Sequence, residues 1–486
     1  MNLPDLLNSP EGKTLEFKRD ASSLKPILKT LVAFANTAGG TLVIGREDNG
    51  SVVGVGNVLQ EEERLANAIA DGIRPAMTPE IDICSHDGKS LLLVHVPHWR
   101  GPFYVKAEGA EDGVYIRLGS TNRRAGPELL AELQRALSGL SFDQMPCPDV
   151  SADDLDAGKV GRFFKQVGRE VSQEHLETLG VLVPQGGRLV PSHGGLILFG
   201  SDAARRRLFP EAEMRCARFR GTDKVEFIDR LDLEGTVLEA LDEAPKFIRR
   251  NTRLAAKIET MRRQDIPEYP VLALREVLVN AVAHADYSLT GMRLRVAIYA
   301  DRLEVENPGM LPFGMTLDDF KAGVSRLRNR VIARVLRELG LVEEWGTGYL
   351  RITEACREGG YPAPEWEEHG PCLRVVFRPH PEVEAVTHVP ADDRMDDTVN
   401  DTANETVDVP GNVPGNVPVS VPANTRQEWL LEQLARGQRT KAADVATKFD
   451  VTEKTAKRDI ADLRERGLIE FVGARKTGHY RLKERS

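Results

Sequence analysis

Glu276, Asn280 and His284 recur every four residues within the run 271–284, a spacing that stacks side chains on one flank of a helix. A carboxylate, an amide and an imidazole in one row beside an apolar face are costly to bury unless something uses them. Magnesium would use them, because that ion takes few protein oxygens and completes its shell with water and phosphate oxygens. The plain alternative is a polar seam turned to water. Further along, Asn307-Pro308-Gly309 places a glycine where a missing Cβ would let a ligand approach. Gly346-Thr347-Gly348 at a helix start would turn backbone N–H groups and the positive helix end toward phosphate. Arg328 lies between these two motifs, where a guanidinium could meet the same phosphate.

The elements that must hold these groups can be read from periodicity. Val271, Leu272, Leu274, Val277, Leu278, Val279, Ala281 and Val282 give the first run its apolar helical face. Residues 293–299 and 302–306 alternate like two paired strands with a turn at 300–301. A loop of little periodicity reaches 325–330, and helices are expected over 331–339 and 349–357.

This order resembles the GHKL ATPase fold, and more closely its RecG C-terminal-like branch, through Asn280-Ala-x-x-His284, Asn307-Pro308-Gly309, Arg328-Asn329 and Trp345-Gly346-Thr347-Gly348. The resemblance implies an ATP site lined by Asn280, His284, Asn307 and Gly309, with Asn280 helping to hold Mg²⁺. It further implies that Gly346, Thr347 and Gly348 cradle phosphates, that Arg328 acts from a flexible lid, and that Glu276 orients water if ATP is hydrolysed. One departure weakens adenine recognition: Asn307 stands where catalytic relatives carry an aspartate, and an amide oxygen accepts less strongly than a carboxylate. Three readings stay open: binding alone, binding with weak hydrolysis, and a degenerate fold kept for dimerisation.

Towards the N-terminus, a helix over 22–35 leads into strands at 41–45, 91–96 and 114–118. Glu16-Phe17-Lys18, Ala33-Phe34-Ala35-Asn36-Thr37-Ala38-Gly39-Gly40 and Gly45-x-x-Asp48-x-Gly50 resemble the Schlafen AlbA_2 domain. The resemblance implies an α/β nucleic-acid-binding domain. Glu11, Glu16 and Asp48 match the acidic positions of a metal-dependent ribonuclease site in some Schlafen proteins, and three carboxylates can hold ions that activate water. The plain alternative pairs Glu16 with Lys18 and leaves Asp48 shaping its turn. Gly12-Lys13-Thr14 is not a P-loop, since Leu7 occupies the required earlier glycine position.

Residues 150–265 read as short helices, a helix over 235–250, and buried strands or close-packed turns at 194–200 and 214–219, with no legible chemistry. A Pro/Gly and acidic stretch follows at 381–425 and reads as an extended tether. The last 60 residues or so pattern as three helices and a hairpin. Val451-Thr452-x-x-Thr455-x-x-Arg458 through Gly467 resembles the DeoR-type winged helix-turn-helix. Lys454, Thr455, Lys457 and Arg458 would enter the major groove, and Arg475 and Lys476 on the wing would meet phosphate. From residue 439 onward thirteen Lys/Arg stand against eight Asp/Glu, a local basic excess within a chain of net charge −9.

A length of 486 residues is too great for one core. The fold class expected is a multidomain α/β (α+β) chain: an AlbA_2-type domain over 1–140, a connecting α/β region over 141–265, a GHKL-like α/β sandwich over 266–380, the tether, and a winged helix over 426–486. No apolar run is long enough for a membrane span, five cysteines lie far apart, and no signal pattern opens the chain, so a cytoplasmic protein is expected. The functional expectation is an ATP-binding, DNA-binding regulator acting as a homo-oligomer, with RNA as an alternative partner. The competing expectation is a nucleic-acid-processing nuclease or DNA-dependent ATPase.

Overall fold

The computed structural model describes residues 2–258, 263–342 and 348–383, with 427–482 in part. The chain divides into two compact units, Met1–Asp393 and Arg394–Ser486.

The first unit begins with a four-stranded sheet whose strands run in the order Leu15–Lys18, Gly40–Ile44, Lys89–Val96, Glu80–His86. Its first pair is parallel and the other two are antiparallel. The Leu24–Thr37 helix covers it, because Ile27, Leu31 and Phe34 recur at helical spacing and bury completely with Leu42, Ile44, Leu92 and Val94. Asn36, at the end of that helix, is buried and fully used. Its amide donates to the carbonyls of Phe103 (2.8 Å) and Tyr115 (2.9 Å), and its oxygen accepts the Phe103 N–H at 2.7 Å. The Asn of the 33–40 motif is thus a staple, since an unpaired buried amide would cost about 1–3 kcal/mol.

A six-stranded mixed sheet follows, ordered Phe227–Leu233, Met214–Phe219, Leu294–Ile298, Leu303–Pro308, Cys372–Phe377, Glu365–His369. Its contact between Met214–Phe219 and Leu294–Ile298 is parallel and the others are antiparallel. The Val237–Arg250, Val271–His284, Arg330–Glu338 and Gly348–Glu358 helices share its core. The segment read as a connection therefore supplies two of the strands.

Residues 194–200, read as a strand or turn, lie instead largely in the helix His193–Phe199, capped by Ser192, whose Oγ accepts the Gly195 N–H at 3.0 Å. Buried on every side, this helix has no polar face to reveal its period, and a Cβ at Gly195 would come within 2.3 Å of the Val181 carbonyl oxygen. The expected loose lid contains a short helix, Leu317–Lys321, capped by Thr316.

In the second unit Leu430, Leu434, Val445, Ala456, Ile460, Leu463 and Ile469 form one small core. Ile469–Val472 pairs antiparallel with His479–Leu482. Ala456, Ile460 and Leu463 are the buried stripe that the spacing of the third expected helix predicts. Lys454, Thr455, Lys457, Arg458, Arg475 and Lys476 lie outside the described residues.

Candidate functional site

The Val271–His284 helix lays Glu276, Asn280 and His284 along the wall of a cavity of about 490 Å³, within the range of small-molecule sites. Asn307, from the strand Leu303–Pro308, also lines it, and so do Gly348 and Tyr349 at the start of the Gly348–Glu358 helix. Asn280 Nδ2 reaches toward Glu276 Oε1 at 3.4 Å, and Arg351 Nη1 stands 4.0 Å from the other Glu276 oxygen. Gly348 is pressed against this pair. A Cβ there would lie 2.8 Å from Asn280 Nδ2 and 3.2 Å from Glu276 Oε1. A helix start, a carboxylate and an amide thus meet in a cradle that a single methyl group would fill. A carboxylate and an amide beside a helix start are side chains able to serve a magnesium–phosphate ligand, the amide through its oxygen. Gly346 and Thr347 lie outside the described residues.

Two expected residues do not face this cavity. Arg328 has only 9 % of its side chain exposed and is bound on three sides, by Glu132 (2.7 Å), Asp286 (3.1 Å) and the Met310 carbonyl (2.6 Å). It is a structural strut and not a lid cation, because two carboxyl groups and a carbonyl already hold it. Gly309 is explained by the same cluster. Its φ is +97°, and a Cβ would sit 2.9 Å from Asp286 Cβ and 3.2 Å from Arg328 Cζ. Close packing of protein, not approach of a ligand, sets that glycine. Sequence reasoning missed Arg326 and Arg337, which do line the cavity, and the aromatic set Phe320, Tyr349 and Trp366. Phe320 lies 4.8 Å from Trp366 and 5.3 Å from Tyr349 between ring centroids.

Enclosure pushes the His284 imidazole down to about 4, with the Arg328 charge adding to the effect. A histidine normally titrates near 6.5, so the unfolded chain takes up a proton that the folded site refuses. Stability that is present above pH 6.5 is lost as pH falls towards 4. His284→Gln is expected to remove on the order of 2 kcal/mol of this acid sensitivity, read as the difference between urea midpoints of variant and parent from pH 7 to 4. Glu132 acts in the opposite sense, since burial raises it to about 7 against the pull of Arg328. The difference between the two proteins isolates His284.

Three family models match the chain. "Putative ATP-dependent DNA helicase recG C-terminal" covers residues 291–377, Schlafen AlbA_2 covers 11–126, and the DeoR-like helix-turn-helix domain covers 426–473. The chain joins these three kinds of domain. The RecG C-terminal match starts after the Val271–His284 helix, so the structure itself is what brings Glu276 and Asn280 to that domain. No curated protein matches. Among solved structures, the crystal structure of the DIP2311 protein from Corynebacterium diphtheriae is 20% identical over 98% of both chains, with a TM-score of 0.40. The solution structure of the N-terminal domain of a RecG-related protein from Nitrosomonas europaea is 32% identical over 25% of this chain and 92% of that one, with a TM-score of 0.21.

Within the AlbA_2 domain the expected carboxylate triad is not assembled. Glu16 is buried and forms ion pairs with Arg117 and Lys18. Glu11 Oε1 accepts the Phe17 N–H at 2.9 Å, and Asp48 sits on an exposed turn. Arg117, itself 1 % exposed, also donates to the Gly12 carbonyl and to Asn122. Freeing Glu16 for a metal would strand a buried guanidinium. Among the described residues no group of three His, Cys, Asp or Glu side chains is placed to hold a metal ion. No helix among them is long and apolar enough to cross a membrane.

Proposed function

We propose that this protein is a nucleotide-responsive, DNA-binding regulator of transcription, in which the RecG C-terminal-type domain binds ATP with Mg²⁺. The observation that carries the reading is the cradle of Gly348 against Glu276 and Asn280 in the wall of a cavity of about 490 Å³. Asn280 would hold the ion, Glu276 would stand beside it, and the Gly348–Glu358 helix start would face the phosphates. Magnesium supplies charge neutralisation of the triphosphate. Val305, Leu373 and Val375 make part of the wall apolar, which suits the flat face of a base. Asn307 offers that base an amide in place of a carboxylate, so discrimination between purines is expected to be modest.

The DeoR-like unit reads DNA in this account, and its kind of recognition helix works on paired half-sites, which calls for two copies of the chain. Lys454, Thr455, Lys457 and Arg458 are assigned to base and phosphate contacts, and Arg475 and Lys476 to the wing. The AlbA_2 domain adds a second nucleic-acid contact. Metal-dependent cleavage by Glu11, Glu16 and Asp48 is disfavoured by the Arg117 pairing.

Titration calorimetry with MgATP tests the nucleotide site. The parent should release or absorb heat with saturable stoichiometry. Asn280→Ala should weaken binding about tenfold or more, as expected for a lost hydrogen bond to a charged group. Gly348→Ala should do the same with little change in thermal midpoint, because the group displaced is the tip of Asn280. Equal affinity in all three proteins would sink the assignment. Glu276→Gln, assayed for phosphate release, separates turnover from binding.

A further inference from the structure

Arg326 is unlike the other arginines around the cavity. Arg328 is paired with Asp286 and Glu132 and Arg351 stands near Glu276, whereas among the described residues Arg326 has no carboxylate within ion-pair distance. It is exposed and lines the cavity, and its Nη1 donates to the Phe313 carbonyl at 3.1 Å. A cation with no carboxylate partner on a cavity wall is a place for an anion.

The same side chain lies beside the AlbA_2 domain, close enough for its charge to act on His98. Gly314 lies between them: a Cβ there would stand 2.5 Å from Arg326 Nη1 and 2.5 Å from His98 Cδ2. The Gly314 N–H donates to the Thr37 carbonyl at 2.6 Å. His98 bonds in turn through Nδ1 to the Ala35 carbonyl at 2.9 Å, so both contacts end on the last turn of the Leu24–Thr37 helix. The rest of this segment is tied on both sides. Met310 packs with Val114, Ile116 and Leu133, and Glu368 accepts both the Leu311 N–H (3.0 Å) and Lys13 (2.7 Å). Phe320 packs edge-on and tilted into the cavity's aromatic set. The segment from Met310 to Arg328 is one wall for two domains.

We infer that Arg326 is the residue of the cavity wall that contacts the ligand's phosphates, and that its movement on binding is passed through Gly314 and His98 to the end of the AlbA_2 helix. This rests on the nucleotide reading above. The consequence is chemical: nucleotides with a chain of phosphates, and not nucleosides, alter the AlbA_2 domain.

Hydrogen–deuterium exchange on the full chain, with and without MgATP or adenosine, tests this beside calorimetry. In the parent, MgATP should change exchange at the Gly314 amide and in peptides spanning 31–40 and 95–103, while adenosine should not. Arg326→Gln should bind MgATP about tenfold more weakly and, at saturation, lose the change in the AlbA_2 peptides. Arg326→Lys should recover part of the affinity and part of the change. If the parent binds MgATP but Arg326→Gln binds equally well, or the AlbA_2 peptides never respond, the inference is wrong and the nucleotide site stands. If the parent shows no heat with MgATP, both fall together.

Discussion

Replacing Arg328 with alanine is expected to destabilise the Met1–Asp393 unit by about 3–5 kcal/mol, the range for breaking a buried ion pair from one side. The guanidinium joins Glu132, Asp286 and the Met310 carbonyl at 2.7, 3.1 and 2.6 Å. Without it, two largely buried carboxylates would face each other across the space it leaves. Glu132 is already raised to about 7 with Arg328 present, so in the variant it should stay protonated at neutral pH. That relief caps the loss. Arg328→Lys keeps the charge but not the planar fork, and should cost less than alanine. Adding Glu132→Gln to the alanine variant should recover part of the stability, because the pair shares one network. Urea unfolding followed by two probes is the suitable measurement, since a unit this large need not unfold in one step. A loss below about 1 kcal/mol would show that Arg328 behaves as a surface pair.

The second large effect is expected at Asp143. Its carboxylate, wholly buried, accepts the backbone N–H groups of Arg330 (3.0 Å), Val331 (2.7 Å) and Ile332 (2.9 Å). These are three of the four donors that a helix start leaves without partners. Asn329, which precedes the Arg330–Glu338 helix, makes no side-chain cap bond to it; its Nδ2 instead donates to the carbonyls of Ala283 and Ala285. One cap residue is typically worth about 1 kcal/mol, and three orphaned donors in a dry site should raise the loss in Asp143→Ala to roughly 3 kcal/mol. Asp143→Asn retains one acceptor oxygen and should lose about half as much. Amide exchange localises the effect: protection should fall first at 330–338. Equal protection in parent and alanine variant would show that water replaces the carboxylate.

Both residues illustrate where sequence reasoning stops. The row of Glu276, Asn280 and His284 was legible because its period is local, and the structure places all three on one cavity wall. The strands at 294–298 and 303–308 were legible for the same reason, through alternation. Arg328 was read as a lid cation from its position between glycine motifs, but its partner Glu132 lies 196 residues away. Asp143 caps a helix that starts 187 residues later. No periodicity spans such distances. The edge strand Glu365–His369 escaped notice because its pattern puts acidic groups at three of five positions around Trp366, which reads as a solvated turn. Glu16 fits a metal site by type and position, and only Arg117, 101 residues further along the chain, shows its charge to be answered already.

The parallel seam between Met214–Phe219 and Leu294–Ile298 has a practical bearing. A clone cut to the span 291–377 would strip the Leu294–Ile298 ribbon of its neighbour, baring a row of amides and carbonyls that invites clumping. It would also discard Glu276 and Asn280. An excised piece meant for ligand work has to begin far upstream, ahead of the helices that roof this sheet, even though the recognisable stretch of sequence starts at 291.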